Sequence, residues 1–334
     1  MPESYPIGIL GCGDYLRWEH ETIKRSERVR VKSLYDPASE RAEKYAEFFG
    51  ARAVASDDEV FGDAEIRAVL IFTPPFTHRD LVVRAAREGK HVITVKPLAP
   101  TVAEATDMVQ AVRGAVDCAV FYRRTGNAVI ETLKEVFSSG EIGGLGLFRE
   151  DWLHHYPTWN RWATDPDKNG GPFMDAMIHN LNIARYLADS EPLSCTFFSD
   201  NHAQDLDCND TESMKVDFES GAAAHLFITW AADLEIYDAT RNDREHIDLW
   251  YMISDEGWYV TVEGGNIQAS REGDVKTWPT EKMPRTPYDE FIEAVEAGAE
   301  QPFDVVDAWK DVKILEEGAA HPGRRVELDL TPPA

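Results

Sequence analysis

The chain has 334 residues, 43% of them hydrophobic and 28% charged, a composition typical of a folded protein with room for two domains rather than of a disordered chain. Its 60 acidic residues outnumber 34 lysines and arginines, and the formal net charge of −26 repels nucleic acid and anionic membrane surfaces, so neither is expected as a partner. The four cysteines have no paired spacing and no apolar run approaches the roughly 18–20 residues of a membrane helix, so no zinc knuckle, disulfide framework or membrane span is predicted.

The first third of the chain alternates strand and helix signals. Strands are predicted at residues 5–10, 29–35, 68–72, 91–95 and 118–122, and helices after Gly13 and at residues 39–49, 81–88 and 102–112. Gly50 and Gly89 end two of these helices, as glycine C-caps commonly do. Repeated β-α-β units predict a doubly wound α/β domain, in which helices cover both faces of a parallel sheet.

The pattern changes after about residue 123. Further strands are predicted at residues 145–153, 193–199, 214–218, 222–230, 246–254, 258–263 and 325–330, and helices at 129–139, 172–187 and 288–317. Several of the strands follow one another with only turns between them, which favours an α+β domain with a large mixed or antiparallel open sheet. We therefore expect one domain at residues 1–123 and a second at residues 124–334.

A glycine-rich turn follows the first predicted strand at Gly11-Cys12-Gly13. Glycines suit this place because the backbone must turn tightly and approach a pyrophosphate at a helix N-terminus. Asp36 closes the second strand, where a carboxylate can hydrogen-bond the hydroxyls of an adenosine ribose and repels a 2′-phosphate. The pattern predicts a Rossmann domain that binds NAD in preference to NADP, with contacts from Gly11, Gly13, Asp14, Tyr15 and Asp36. Leu16 stands where the third glycine of the full fingerprint is expected, so an unrelated tight turn is the alternative.

Further motifs are spaced over nearly the whole chain. They are Thr73-Pro74-Pro75 with His78, Gly89-Lys90-His91-Val92 before Lys96-Pro97-Leu98-Ala99, Ser139-Gly140-Glu141-Ile142-Gly143, Gly170-Gly171-Pro172 before Asp175 and His179, and Gly323-Arg324-Arg325-Val326. In this order they resemble the motifs of the glucose–fructose oxidoreductase and inositol dehydrogenase family (Gfo/Idh/MocA). The resemblance implies a catalytic trio of Lys96, Asp175 and His179, and cofactor contacts from Thr73, Pro74, His78, Lys96 and Pro97. The chain departs from the family at Val95, which replaces a glutamate, and at Asn180 and Asn182, where acids are common.

The implied catalytic residues suit the oxidation of an alcohol, in which a hydroxyl proton is removed while hydride leaves the same carbon. Histidine is a natural base for this step, since its unperturbed pKa is about 6.5. Asp175 lies four residues before His179 on a predicted helix, so it can orient the imidazole or bind a neighbouring hydroxyl. Lys96 ends a parallel strand, where its ammonium can stabilise a developing alkoxide, and the Lys96–Pro97 bond is a candidate cis peptide. Without the resemblance, the Asp/His pair is typical of a solvated helix face and the lysine of a strand end.

Aromatic and polar side chains near the predicted domain junction are candidates for a substrate pocket: Tyr122, Arg123, His154, Tyr156, Trp159, Arg161 and Trp162. Aromatic faces and bidentate donors suit a polyhydroxylated ring, whose apolar C–H faces are edged by hydroxyls. The alternative is that most of these residues only pack at the junction. His154 and His155 are adjacent, so on a strand they point to opposite faces and do not chelate one ion, and no metal is expected.

The leading hypothesis is an NAD-dependent oxidoreductase that transfers hydride between nicotinamide and a ring carbon of a sugar, sugar derivative or cyclitol. One alternative is NAD-dependent glycoside cleavage through transient oxidation and elimination, and another is a non-catalytic regulator that binds NAD and a sugar. The resemblance also implies a homodimer or homotetramer formed through the sheet of the second domain. The N-terminus enters its first strand without a basic segment or cleavage site, so a cytoplasmic protein is expected.

Overall fold

The computed structural model describes residues 4–153, 161–232 and 247–333, except for the side chains of Arg161 and Ile247. The chain divides into two compact units. The first contains the residues up to Gly126, the segment Met283–Trp309 and the end of the chain, and the second contains Asn127–Lys282 and Lys310–Thr331. Residues 283–309, which the sequence analysis assigned to the second domain, thus belong to the first compact unit.

The described residues form fifteen strands and nine α-helices. The strands are β1 (Tyr5–Leu10), β2 (Val29–Tyr35), β3 (Arg52–Ala53), β4 (Ala68–Ile71), β5 (His91–Val95), β6 (Cys118–Phe121), β7 (Leu145–Leu153), β8 (Pro192–Asp200), β9 (Thr211–Phe218), β10 (Ala223–Thr229), β11 (Ile247–Ser254), β12 (Tyr259–Glu263), β13 (Asn266–Arg271), β14 (Asp274–Pro279) and β15 (Arg325–Glu327). The α-helices are α1 (Asp14–Arg25), α2 (Ser39–Phe49), α3 (Asp57–Phe61), α4 (His78–Arg87), α5 (Val102–Val112), α6 (Ala128–Ser138), α7 (Ile178–Ala188), α8 (Pro287–Ala297) and α9 (Val305–Ala320). Among these described helices, none is long and apolar enough to cross a membrane.

A six-stranded sheet forms the centre of the first unit, in the order β3-β2-β1-β4-β5-β6. Every neighbouring pair is parallel, which confirms the predicted doubly wound sheet. Strands β1, β4, β5 and β6 are short, largely apolar runs, as expected where both faces of a sheet are covered, and Ile9, Leu70 and Ile93 are almost completely buried. The strand order reverses between β1 and β4, because β2 and β3 are added on one side of β1 and β4 to β6 on the other. Ligands of such sheets bind outside the carboxyl ends of the strands at that point.

A nine-stranded sheet forms the second unit, in the order β14-β13-β12-β11-β7-β10-β9-β8-β15. Only β7 and β10 pair in parallel and the other described pairs are antiparallel, so the predicted mixed open sheet is confirmed. Helix α7 packs on β7 and β10 on one face. The sheet also carries large exposed apolar side chains, among them Phe198, Leu249 and Tyr259.

Three sequence predictions need correction. The helix predicted at 172–187 begins instead with a π-helical turn, Phe173–Met177, and continues as α7 to Ala188. The helical region predicted at 288–317 is two helices, because Gly298 ends α8 in the left-handed conformation at φ 60° and Pro302 follows shortly after. The strand predicted at 325–330 ends at Glu327, and the hairpin of β13 and β14 was not predicted.

Candidate functional site

The glycine-rich turn of the first unit has the geometry that a dinucleotide requires. Gly11 has φ 90°, and a Cβ there would lie 2.6 Å from the carbonyl oxygen of Phe72, so only glycine fits. At Gly13 a Cβ would meet no atom within 4 Å, which leaves open space beside the start of α1. No side chain caps this helix N-terminus, whose free N–H groups favour an anion such as a pyrophosphate.

Asp36 is held at the end of β2 against the glycine-rich turn. Its Oδ2 accepts the Cys12 N–H at 2.8 Å, and its Oδ1 accepts the Ala38 N–H at 2.9 Å. The side chain is nearly buried, and two backbone donors fix the direction of its carboxylate. This position and charge fit the ribose hydroxyls of a bound dinucleotide.

The residues that follow the turn show what occupies the place of the third glycine. Leu16 is fully buried and belongs to the hydrophobic core of the unit, so α1 packs on the sheet through a side chain. Tyr15 packs against Phe72, with ring centroids 4.8 Å apart. Asp14 is exposed and lies 3.7 Å from Arg17. Contacts of Asp14 and Tyr15 with a cofactor stay predictions.

His78 connects the loop after β4 with the loop after β5. Its Nε2 lies 2.8 Å from the carbonyl oxygen of Thr73, and its Nδ1 lies 3.1 Å from the carbonyl oxygens of both Pro97 and Leu98. The ring is fully buried, and this burial lowers the pKa of His78, with the nearby Lys96 ammonium acting in the same direction. The imidazole therefore contacts backbone oxygens of both loops, and its predicted contact with the cofactor remains a prediction, as do those of Thr73, Pro74 and Pro97.

Lys96 follows β5 directly and is half-buried. Its backbone N–H donates to the carbonyl oxygen of Phe121 at 3.1 Å, which continues the pairing of β5 and β6. The Lys96–Pro97 peptide bond is cis, as the sequence analysis anticipated. Val95, which stands in place of the family's glutamate, is buried in the hydrophobic core of the unit, so this position carries no charge that could orient the lysine.

Asp175 and His179 occupy distinctive positions in the second unit. Over residues 173–185, every side chain is buried except these two, which are half-buried. They lie four residues apart where the π-helical turn passes into α7, and such turns occur often at functional sites. An otherwise buried helix thus presents one carboxylate and one imidazole to accessible space.

Asn169 is a site residue that the sequence analysis missed. Its Nδ2 donates to Asp175 Oδ1 at 2.8 Å and to the carbonyl oxygen of Ala163 at 3.1 Å. The side chain is fully buried, so the amide holds the Asp175 carboxylate from the protein interior. A single asparagine six residues before an aspartate gives no recognisable sequence signal.

Glu212 on β9 is a second residue that the sequence analysis missed. Its Oε2 accepts the Phe173 N–H at 2.6 Å, and its Oε1 accepts the Ser199 hydroxyl at 3.2 Å. Burial raises the pKa of Glu212 to about 7, against the opposing effect of these two donors. The carboxylate thus lies at the start of the helical segment that carries Asp175 and His179.

The predicted substrate-binding residues are placed only in part. Tyr122 is buried, Arg123 is exposed, and Trp162 is half-buried against a small cluster around Trp230. Three others, His154, Tyr156 and Trp159, lie outside the described residues, as does the side chain of Arg161. Within the described ranges, no group of three or more His, Cys, Asp or Glu side chains is arranged to bind a metal ion.

Two family models match the chain. Residues 6–122 match an oxidoreductase family with an NAD-binding Rossmann fold, and residues 130–242 match the GFO/IDH/MocA C-terminal domain. The scyllo-inositol 2-dehydrogenase (NAD(+)) of Bacillus subtilis is 30% identical over 238 residues, which are 68% of this chain and 67% of that protein. The 1,5-anhydro-D-fructose reductase of Ensifer adhaerens is 29% identical over 199 residues, 58% of this chain and 59% of that protein. Across four such relatives, the matched length is 54% to 67% of the relative.

Solved structures show the same fold over almost the whole chain. The aldose-aldose oxidoreductase of Caulobacter crescentus, crystallised with glycerol, superposes with a TM-score of 0.83 at 23% identity and covers 97% of this chain and 100% of its own. A levoglucosan dehydrogenase in complex with NADH and levoglucosan gives a TM-score of 0.81 at 18% identity, with 97% and 99% coverage. At these identities the likeness concerns the fold.

Proposed function

Because the chain belongs to the Gfo/Idh/MocA family of oxidoreductases with an NAD-binding Rossmann fold, we propose that it is an NAD-dependent dehydrogenase of sugars, sugar derivatives or cyclitols. Hydride passes between a ring carbon of the substrate and the nicotinamide. The observation that carries this proposal is the exposure of Asp175 and His179 on a helix whose neighbouring residues are buried. Relatives named as inositol and sugar oxidoreductases support the substrate class.

The dinucleotide is assigned to the carboxyl ends of β1 and β2. The backbone of Gly11 and Gly13 and the N-terminus of α1 hold the pyrophosphate, and Asp36 binds the adenosine ribose. A 2′-phosphate would place negative charge beside the Asp36 carboxylate, so NAD is preferred to NADP. When bound, the cofactor supplies the hydride acceptor.

Side chains of the protein transfer the proton of the reacting hydroxyl group. His179 accepts the hydroxyl proton as the general base, because histidine is the side chain whose unperturbed pKa lies closest to neutral pH. Asp175, fixed by Asn169, orients the imidazole or binds the neighbouring hydroxyl. Lys96 donates a hydrogen bond to the reacting oxygen and stabilises the charge that develops on it. The roles of Lys96 and His179 rest on the family resemblance.

We further propose that the protein is a cytoplasmic homodimer or homotetramer. The nine-stranded sheet exposes Phe198, Leu249 and Tyr259, and the exposed area of apolar side chains on a sheet is reduced when a second copy covers it. Sedimentation analysis of the wild type and of a Phe198→Glu, Leu249→Glu variant tests this assembly: a wild-type monomer would contradict it.

A panel of sugars, cyclitols and glycosides tests the activity, with NADH absorbance as the readout. Wild-type protein should reduce NAD with at least one member, and Lys96→Ala and His179→Ala should abolish the activity. Lys44→Ala and His321→Ala, which alter exposed residues of the same types, should retain it. Release of an aglycone without net NADH would indicate glycoside cleavage instead. Binding of NAD without turnover on the panel would indicate a regulator.

A further inference from the structure

Glu212 is the one acidic residue in a row of side chains on β9 that face the core. Side chains two apart on a strand share a face, so Glu212 lies in line with Met214, Val216 and Phe218, all of which are buried. Its residue exposure is 6%, which places an ionisable group where an apolar side chain would cost less. The contacts of the carboxylate must therefore offset the cost of burying it.

The neighbouring helical segment lacks the acceptor that helix N-termini usually have. The first N–H groups of a helix have no intrahelical partner, and no side chain from the Pro172 position caps this one. Glu212 supplies the missing acceptor from a different element, since its Oε2 takes the Phe173 N–H at 2.6 Å. A negative charge at a helix N-terminus is favourable as well.

The loop before the helix fits closely around this carboxylate. Gly171 has φ 101°, and a Cβ at this position would lie 3.2 Å from Glu212 Oε1. That contact is tighter than side chains normally tolerate, so the glycine leaves room for the glutamate. The Gly170-Gly171-Pro172 segment and the Glu212 side chain therefore fit closely against each other.

Among the described residues, no positively charged group shifts the pKa of Glu212. The hydroxyl of Ser199 donates to it from β8, and the Cys208 thiol, in the loop before β9, interacts with it electrostatically. Burial, with smaller effects from Glu212, Asp175 and Asp207, raises the pKa of Cys208 to about 12, so this thiol is neutral. The pKa of Glu212 is raised to about 7, and its charge therefore changes around neutral pH.

We propose that Glu212 is a positioning residue, whose carboxylate holds the start of the helical segment and thereby places Asp175 and His179 for the reaction. The catalytic part of this inference rests on the proposed dehydrogenase function, whereas the hydrogen bond to Phe173 does not. The ionised carboxylate makes a short charge-assisted hydrogen bond, which weakens when the carboxyl is protonated. Glutamine at this position keeps an oxygen acceptor but never carries the charge.

The amide resonance of Phe173 in isotope-labelled whole protein reports on this hydrogen bond directly. Its chemical shift should titrate with a midpoint near the pKa of Glu212, at about pH 7. Ser199→Ala removes a donor to the ionised carboxylate and should move the midpoint upward, and Glu212→Gln should abolish the titration. A wild-type Phe173 amide that follows no carboxyl titration at any pH at which the protein stays folded would overturn the proposal, and this measurement requires no variant to fold.

Kinetics separate positioning from a purely structural role. Glu212→Gln should lower kcat about ten- to a hundredfold, the effect of slightly misplaced catalytic groups, while the Kd of NAD stays unchanged. Glu219→Gln, in the turn after the same strand, is exposed and should match the wild type. Wild-type kcat in Glu212→Gln would refute the positioning role. If no compound on the panel is turned over by the wild type, the dehydrogenase proposal fails, and the Phe173 titration still decides whether Glu212 holds the helix.

Discussion

Asn169 donates a 2.8 Å hydrogen bond to Asp175 from a fully buried position, so one of the two accessible ionisable groups on the helix is fixed by a residue that solvent does not reach. A hydrogen bond to a charged group contributes about 1.5–3 kcal/mol, more than a neutral one. Asn169 therefore helps to set the orientation of the Asp175 carboxylate.

Replacing Asn169 with alanine should lower kcat/KM about tenfold or more, because Asp175 loses its fixed direction. The Kd of NAD should remain at the wild-type value, since Asn169 lies in the second unit. Steady-state kinetics and cofactor titration check both parts. Asn266→Ala removes an exposed amide and serves as the control. Unchanged kcat/KM in Asn169→Ala would show that Asp175 needs no such support.

Asp36 is expected to set the choice of cofactor. Asp36→Ser removes the charge that repels a 2′-phosphate, so the ratio of NADP to NAD affinity should rise about tenfold or more, which corresponds to about 1.4 kcal/mol. The affinity for NAD should fall as well, because the Cys12 N–H loses a carboxylate acceptor. Calorimetric titration with both dinucleotides measures the ratio. An unchanged ratio would remove Asp36 from the adenosine site.

Gly11→Ala should weaken both folding and NAD binding. The new Cβ would be 2.6 Å from the Phe72 carbonyl oxygen, and the left-handed backbone alone costs a non-glycine residue about 1–2 kcal/mol. Gly50→Ala is the matched control, since Gly50 has φ 67° but open space around its Cα. Denaturant unfolding should show a larger loss of stability for Gly11→Ala. Equal losses of stability in the two variants would mean that the backbone near Phe72 shifts to accommodate the new Cβ without cost.

Asp311→Ala should be strongly destabilising. The carboxylate is fully buried, lies 2.6 Å from Arg185 Nη1 and accepts the Asn182 amide at 2.7 Å, so its removal leaves a buried guanidinium without this counter-charge. Loss of one partner of a buried pair costs about 3–5 kcal/mol. The partly exposed pair Lys313–Glu317, four residues apart on one helix, is the control, and Glu317→Ala should cost less than about 1 kcal/mol. Similar unfolding free energies for the two variants would contradict this assignment.

The stability of Glu212→Gln should depend on pH with a defined sign. The pKa of Glu212 is raised from 4.5 to about 7 in the folded protein, so the folded state binds this proton more tightly than the unfolded chain. The resulting stability is present below the unfolded pKa and is lost as pH rises through about 7. Relative to the wild type, the glutamine variant should gain up to about 3 kcal/mol between pH 5 and pH 8, at about 1.4 kcal/mol per pKa unit. A difference that does not vary with pH would mean that Glu212 titrates normally.

Local patterns predicted the regular elements well and their irregular ends poorly. Strands β1, β2 and β5 begin and end at the predicted residues, because apolar and β-branched residues mark each of these segments. The break between α8 and α9 was overlooked although Gly298 and Pro302 mark it. Helical periodicity on both sides of the break concealed the short interruption.

The candidate site likewise contains residues that the sequence reveals and residues that it does not reveal. Lys96, Asp175 and His179 lie within motifs that a sequence displays directly. Asn169 and Glu212 act through contacts made by folding, and Glu212 meets Phe173 across 39 residues of chain. No periodicity or spacing encodes such a contact, so only the folded arrangement identifies it.

Transfer of deuterium from substrate to cofactor tests the proposed reaction most directly. A panel compound that supports NADH formation is labelled with deuterium at the ring carbon that is oxidised, and the reduced dinucleotide is analysed by mass spectrometry. Hydride transfer predicts NADH that carries the label, with a slower rate for the labelled compound when the transfer step limits turnover, and no labelled product from His179→Ala. Label that appears in the solvent, or reduced dinucleotide without deuterium, would contradict hydride transfer from the ring carbon.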